Sequence, residues 1–151
     1  MVEYLPTTTG VDTDSIEITY NDGLTTQIKL RDMTGTSQAP ALLEISDGPT
    51  FDYGDEVVGN VGTSIFTVTN TGEIDATALV GSGLVTPFEF TGSAYPGTNG
   101  TCGATLAGFN ATCTIEVTFT PVAPGAVNDT IEIAYDAVSY THLTLPTTPY
   151  V

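Results

Sequence analysis

Apolar and polar residues alternate most clearly in residues 112–120 and 130–136. A period of two residues is typical of a β-strand that turns one face to a core and the other to water. We therefore predict two half-buried antiparallel strands at these positions. Their apolar positions are Cys113, Ile115, Val117 and Phe119 in the first strand, and Ile131, Ile133 and Tyr135 in the second.

Further short stretches rich in valine and threonine are separated by Gly, Pro, Asn and Asp clusters, such as Asn70–Gly72 and Pro121–Gly125. No stretch shows a sustained helical period, and short strands between regular turn signals favour a two-sheet sandwich. The predicted fold is all-β, an immunoglobulin-like antiparallel β-sandwich. These further strands are predicted at 25–30, 42–45, 64–69, 76–80 and 88–91. The predicted core consists of Phe66, Val68, Phe88, Ile115, Val117, Phe119, Ile131, Ile133 and Tyr135.

Residues 2–20 reappear as residues 117–135 at a constant spacing, so that Val2 corresponds to Val117 and Tyr20 to Tyr135. A repeat of this length indicates a tandem array of one domain type. The predicted domains are residues 1–37, the last strands of a preceding immunoglobulin-like repeat, and residues 38–137, the next repeat. The recurring residues are Val2, Pro6, Gly10, Asp14, Ile16, Glu17, Ile18 and Tyr20, which recur as Val117, Pro121, Gly125, Asp129, Ile131, Glu132, Ile133 and Tyr135.

Residues 138–151 resemble the translation of a sequencing adapter, and we expect this tail to be artefactual. His142, the only histidine, lies inside it. The spacing of the repeat places the last strand of the second repeat at 140–145, the counterpart of 25–30. The genuine strand is then missing, and an edge without a partner invites another strand. We expect the tail or the N-terminal segment to pair there.

The chain is strongly acidic, with Lys29 and Arg31 as its only basic residues besides the histidine against 18 Asp and Glu, and a formal net charge of −16. Such a chain repels phosphate backbones and anionic lipid, which argues against nucleic acid or a membrane surface as a partner. No apolar stretch reaches the length of a transmembrane helix. Most of these acids are expected on solvated faces.

The order of several short motifs resembles the abnormal-spindle/Hydin type of immunoglobulin-like domain, as found in bacterial choice-of-anchor D proteins. The resemblance covers about residues 41–137. It implies a seven-stranded module, repeated in large secreted or surface-anchored bacterial proteins, with a structural or adhesive role and no catalytic residues or cofactor. Its implied partners are neighbouring repeats of the same chain, and other surface proteins or glycans. The motifs are Ala41–Ser46, Phe51–Gly54, Val57–Gly59, Phe66–Gly72, Pro87-Phe88, Cys102, Leu106, Cys113–Pro121 and Gly125.

The two cysteines, Cys102 and Cys113, flank a segment rich in Gly, Ala and Asn. A disulfide between them would tie a long loop to the strongest strand, and would agree with an extracellular or cell-surface location. The alternatives are two reduced thiols in a cytosolic domain, or a zinc site. Structural zinc takes four ligands, so two cysteines alone do not suffice.

Catalysis finds little support in the residues. Without the tail there is no histidine to activate a serine or cysteine, and the chain has no tryptophan to form the platform of a glycosidase. We therefore expect a non-catalytic module without a cofactor.

Calcium binding and carbohydrate binding are the alternative functions. Asp52, Asp55 and Glu56 lie close together in the sequence and carry the oxygen ligands that calcium prefers. Asp12 and Asp14 form a second acidic pair, but Val127 stands at the repeat position of Asp12. The acidic pair is therefore not present in both copies of the repeat. Few clustered tyrosines and the lack of tryptophan weaken the carbohydrate hypothesis.

Overall fold

The computed structural model describes residues 2–137, which contain β-strands and no helix. The chain divides into two compact units after Ala39. Predictions that concern residues 138–151 lie outside the described residues. The strands are β1 Gly10–Asn21, β2 Thr26–Ser37, β3 Leu43–Ile45, β4 Gly62–Asn70, β5 Ala76–Ser82, β6 Phe88–Phe90, β7 Thr105–Leu106, β8 Ala111–Phe119 and β9 Glu132–Asp136.

The second unit is a sandwich of two antiparallel sheets, in the orders β3-β4-β8-β6 and β7-β5-β9. In the immunoglobulin arrangement one sheet holds strands A, B, E and D, and the other holds C, F and G. Strands β3, β4, β8 and β6 take positions A, B, E and D, while β5 and β9 take C and F. This order confirms the predicted immunoglobulin-like sandwich. Within residues 2–137, no strand takes position G.

The core lies between the two sheets and is formed by the inward-facing residues of both. The predicted core residues at its centre are fully or almost fully buried, whereas those of β9 are half-buried and pack against it. Phe88 is also half-buried, and its ring stacks on that of Phe119 with centroids 4.7 Å apart. The buried members of the prediction are Phe66, Val68, Ile115, Val117 and Phe119, and the half-buried ones are Phe88, Ile131, Ile133 and Tyr135.

The first unit consists of a long hairpin, in which β1 pairs with β2 along its whole length from Gly10↔Ser37 to Asn21↔Thr26. Asp22 closes the turn, because its carboxylate accepts hydrogen bonds from the N–H groups of Leu24 and Thr25. These bonds hold the pKa of Asp22 below its ordinary value. Strand β2 continues past the predicted end at residue 30, because β1 offers it a partner up to Gly10.

The two copies of the repeated sequence share strand structure over Glu17–Asn21 and its counterpart β9, and differ on both sides. Residues 2–4 form no strand, although their counterparts 117–119 belong to β8. Residues 10–16 belong to β1, although their counterparts 125–131 form no strand. Strand extent thus follows the available partners, since β8 has β4 and β6 beside it and β1 has β2. The tandem-repeat interpretation itself stays a prediction.

The outer face of β8 is covered toward its C-terminal end, which corrects the prediction that Glu116 and Thr118 face water, whereas Thr112 is exposed as predicted. Glu116 and Thr118 retain only 5% and 6% of their exposure. The segment 91–102 lies along this strand: Thr91 N–H donates to Glu116 O, and Glu116 N–H donates to Pro96 O. Asn99 donates to both carboxylate oxygens of Glu116, at 2.9 and 3.0 Å. These bonds to Asn99 hold the pKa of Glu116 below its ordinary value.

Asn70, at the end of β4, is fully buried and joins three parts of the sandwich. Its Oδ1 accepts the N–H groups of Leu42 and Gly72, and its Nδ2 donates to the carbonyls of Ile74 and Leu106. The amide therefore forms four hydrogen bonds, two as acceptor and two as donor. A Cβ at Gly72 would lie 2.1 Å from Pro40 O, so only glycine fits beside this amide.

We predict that Asn70→Ala lowers the free energy of unfolding by about 3 kcal/mol or more, because it leaves buried N–H and C=O groups without partners. Urea titration followed by tyrosine fluorescence measures this loss. Asn60→Ala is the matched control, since Asn60 is exposed and its side chain donates only to Glu56. The control should change stability by less than about 0.5 kcal/mol. Equal losses in the two variants would contradict the role given to Asn70.

We predict that Glu116 stabilises the fold at neutral pH and that this contribution is lost in acid. Its pKa is lowered in the folded state, so the contribution is present in full above about pH 5 and falls as the pH drops below about 4. Urea titrations of the wild type and of Glu116→Gln across this range measure the difference. Glu44→Gln, on the exposed side of β3, controls for the loss of one negative charge. A difference that did not change with pH would contradict the prediction.

Candidate functional site

The two cysteines form a disulfide, which confirms the predicted pairing. Cys102 precedes β7 and Cys113 lies in β8, with Cα atoms 4.8 Å apart and both side chains buried. The bond fastens segment 91–102 to the strand that it covers. Closing a ring of this size contributes about 2 to 3 kcal/mol in the chain-entropy account. Two reduced thiols and a zinc site, the alternatives, are both wrong for this pair.

A cleft with a volume of about 1310 Å³ lies at one end of the sandwich in the second unit. Its apolar wall includes Phe66 of β4, Phe119 of β8 and Ile131, just before β9. Carboxylates belong to the same lining, and no basic residue does. The acidic members of the lining are Asp47, Asp52, Asp55, Glu56 and Asp129.

An aromatic cluster forms the floor of this cleft. The ring of Phe51 meets Tyr53 and Phe66 edge to face, at centroid distances of 5.0 and 5.1 Å. Tyr53 also contacts Phe119, and its hydroxyl donates to Val117 O at 3.0 Å. Burial raises the pKa of Tyr53, so this hydroxyl stays protonated as a donor at neutral pH. The cluster fastens the loop between β3 and β4 to the core, and so has a structural role of its own.

The proposed calcium residues Asp52, Asp55 and Glu56 line this cleft, and two of them accept hydrogen bonds from nearby residues of the same loop. Asp52 accepts the N–H of Gly54, and Glu56 accepts from the side chain of Asn60. Asp52 and Asp55 are exposed, while Glu56 is partly buried. Among residues 2–137, no group of three or more His, Cys, Asp or Glu side chains is arranged to hold a metal ion.

The second acidic pair lies in the hairpin of the first unit. Asp12 accepts a hydrogen bond from the hydroxyl of Tyr4 at 2.7 Å, and this bond raises the pKa of Tyr4. Asp14 accepts the N–H of Ser15. The two carboxylates are therefore engaged in separate local contacts.

The structure also reveals two polar sites that alternation did not single out, the amide of Asn70 and the Asn99–Glu116 pair. The Asn-Thr-Gly sequence at 70–72 was the available signal for the first, because it ends a strand. The second had no local signal, since Asn99 and Glu116 meet only when segment 91–102 folds over β8. Both pairings satisfy buried polar groups of the scaffold.

In the described part of the chain there is no helix long and apolar enough to cross a membrane. Comparison with family models, curated proteins and solved structures finds no match for the chain. The structure therefore establishes an immunoglobulin-like sandwich, stapled by one disulfide, with an acidic cleft at one end.

Proposed function

We propose that the chain is a non-catalytic structural or adhesion module of a large secreted or surface-anchored bacterial protein. The recurrence of β1 residues in β9 carries the proposal. Both segments share the Ile-x-Ile-x-Tyr alternation, and both form strands over its last part, Ile18 and Tyr20 in β1 and Ile133 and Tyr135 in β9, as expected when one module follows another. The partners of such a module are the neighbouring repeats of its own chain.

Two further features support this role. The Cys102–Cys113 disulfide is compatible with an oxidising compartment outside the cell. The net charge of −16 favours solubility, and mutual repulsion separates neighbouring modules. Glu116, the carboxylate whose pKa is clearly lowered within the sandwich, contacts Asn99 and not an open site. Its shift therefore has a structural explanation and gives no support to catalysis.

Single-molecule force spectroscopy tests the mechanical role. We expect the sandwich to unfold in one step at a resolvable force and to refold on relaxation. Oxidised protein should gain about 35 Å less contour length than reduced protein, because the disulfide shields the residues between Cys102 and Cys113 from the load. The Cys102→Ala/Cys113→Ala variant is the control and should match the reduced protein. Unfolding without a resolvable force would contradict a structural role under load.

Ligand binding distinguishes the proposal from its alternatives. We predict that millimolar calcium leaves the Tm at the value seen with the same concentration of magnesium, which controls for screening of the acidic surface. Scanning calorimetry with calcium, magnesium and a chelator measures this. A calcium-specific rise in Tm that Asp55→Asn removes would favour a calcium-binding module instead. Specific retention on a glycan array would favour a carbohydrate-binding module.

A further inference from the structure

Asn99 and Gly100 form the only Asn-Gly sequence of the chain. In such a sequence the backbone nitrogen of the glycine can attack Cγ of the asparagine, because glycine has no side chain to hinder the approach. The attack expels ammonia and leaves a cyclic succinimide, and water then opens the ring to aspartate or isoaspartate. The net reaction consumes water, releases ammonia and turns a neutral amide into a carboxylate.

Both residues of this sequence are required by the packing of segment 91–102, the covering segment, on β8. Asn99 donates its backbone N–H and its side-chain amide to the carboxylate of Glu116, at 3.0 and 2.9 Å. A Cβ at position 100 would clash with Pro96 O, so glycine is the residue that fits there. The contacts that close the covering segment therefore also create a sequence that is prone to deamidation.

The closed segment restrains both reacting groups. The N–H of Gly100, the attacking nitrogen, donates to Gly97 O at 3.0 Å. The amide of Asn99 carries the carbon that is attacked, and Glu116 fixes its position. Ring closure requires the two groups to approach each other, so these hydrogen bonds have to break first. Asn99 is itself exposed, and its protection therefore comes from hydrogen bonds and not from the exclusion of water.

The disulfide anchors the covering segment covalently. Cys102 follows closely behind Gly100 and is joined to Cys113 of β8. The N–H groups of Thr101 and Cys102 both donate to Thr114 O, at 2.8 and 3.1 Å. A dithiol reductant converts the disulfide to two thiols and is itself oxidised to a disulfide. Hydrogen bonds alone then hold this end of the segment.

Apolar burial contributes little to the closure of the covering segment. Tyr95 and Pro96 are its only apolar residues larger than alanine besides the cysteine. The hydroxyl of Tyr95 is buried and, within the described part of the chain, has no hydrogen-bond partner. Burial without a partner is unfavourable, and opening of the segment returns this hydroxyl to water. Once the disulfide is reduced, the segment can therefore open locally while the sheets stay intact.

A carboxylate at position 99 faces the carboxylate of Glu116. The described residues of the second unit include no Lys, Arg or His that could neutralise the pair. Besides the two cysteines, the other titratable side chains of β4, β6, β8 and the covering segment are Glu89 and Tyr95. Neither of these carries a positive charge. Two facing carboxylates repel each other at neutral pH, so they can pair only when one of them holds a proton.

From these contacts we propose that Asn99 is a deamidation site that the covering segment protects, that reduction of the Cys102–Cys113 disulfide exposes it, and that the carboxylate formed there keeps the segment open. The outer face of β8 then stays uncovered, because reoxidation of the cysteines does not restore the amide. The chain thus retains a permanent record of passage through a reducing environment. The inference rests on contacts of the second unit and not on the proposed function.

Mass spectrometry of aged protein tests the protection. Oxidised protein, protein kept in dithiothreitol and the Cys102→Ala/Cys113→Ala variant are incubated at mildly alkaline pH, and deamidation at each asparagine is measured after digestion with pepsin. Asn99 should deamidate at least about tenfold faster in the reduced protein and in the variant than in the oxidised protein, because the reaction requires the open segment. Asn60 and Asn110 are exposed and precede other residues than glycine, so they serve as internal controls. Equal rates at Asn99 in oxidised and reduced protein would overturn the proposal.

A second variant keeps the disulfide and so separates local opening from loss of the fold. Oxidised Glu116→Ala lacks the acceptor of both Asn99 donors, and deamidation of Asn99 should be at least about threefold faster than in the wild type. Glu44→Ala, on the exposed side of β3, controls for the loss of a negative charge. Far-UV circular dichroism checks the sheets in every sample, and this variant decides the outcome where the reduced protein is unfolded. A rate equal to that of Glu44→Ala would contradict the protection.

The effect of the product carboxylate has its own test. In Asn99→Asp the two carboxylates raise each other's pKa in the closed form, so closure is favoured in acid and is lost as the pH rises through the raised pKa. Asn99→Ser, which also lacks the amide but adds no charge, is the matched control. Urea titrations should show that the stability of Asn99→Asp relative to Asn99→Ser falls from acid to neutral pH. A difference that is the same at every pH would overturn the role given to this carboxylate.

Discussion

The pairing of β4 with β8 is the interaction on which the rest of the sandwich depends. Its register runs from Gly62↔Phe119 to Asn70↔Ala111 without interruption. Because opposed side chains share a face, this register places Phe66 beside Ile115 on the side that meets the other sheet. A slip by one residue would turn every apolar side chain of the strand outward. The two strands are distant in the sequence, so the apolar core and this register stabilise each other.

Asn70 and Glu116 are buried beside this ladder and are hydrogen-bonded, and their pairing determines how the adjoining loops lie. Asn70 joins the strand before it, the turn after it and β7 through one amide. Glu116 does the same for segment 91–102 through Asn99. A buried amide or carboxylate without partners would cost more than its hydrogen bonds contribute, so each selects one loop conformation. These contacts give the sandwich its specific loop structure, whereas apolar burial alone would permit several.

The two sheets differ in what lies beside their edge strands. Beside β8, segment 91–102 continues the line of β6, and the disulfide holds it in place. In the other sheet, β5 receives the short strand β7 on one side and β9 on the other. Edge strands attract further strands unless they are covered, twisted away or charged. The acidic residues Glu132 and Asp136 at the ends of β9 add charge to this edge and limit unspecific pairing.

The sequence by itself determined the fold class, most strand positions and the disulfide. Alternation of apolar residues reports which face of a strand turns inward, and turn residues mark where strands end, because both effects are local. Tertiary structure alone decided that Glu116 and Thr118 are buried and that β7 forms. It also decided that the side chain of Asn70 forms hydrogen bonds with three other parts of the sandwich. Each of these depends on a segment distant in the sequence, and a strand as short as Thr105–Leu106 has no period to detect. The cleft could not be predicted from the sequence either, because its apolar wall and its acidic residues come from loops and strands that only the folded chain brings together.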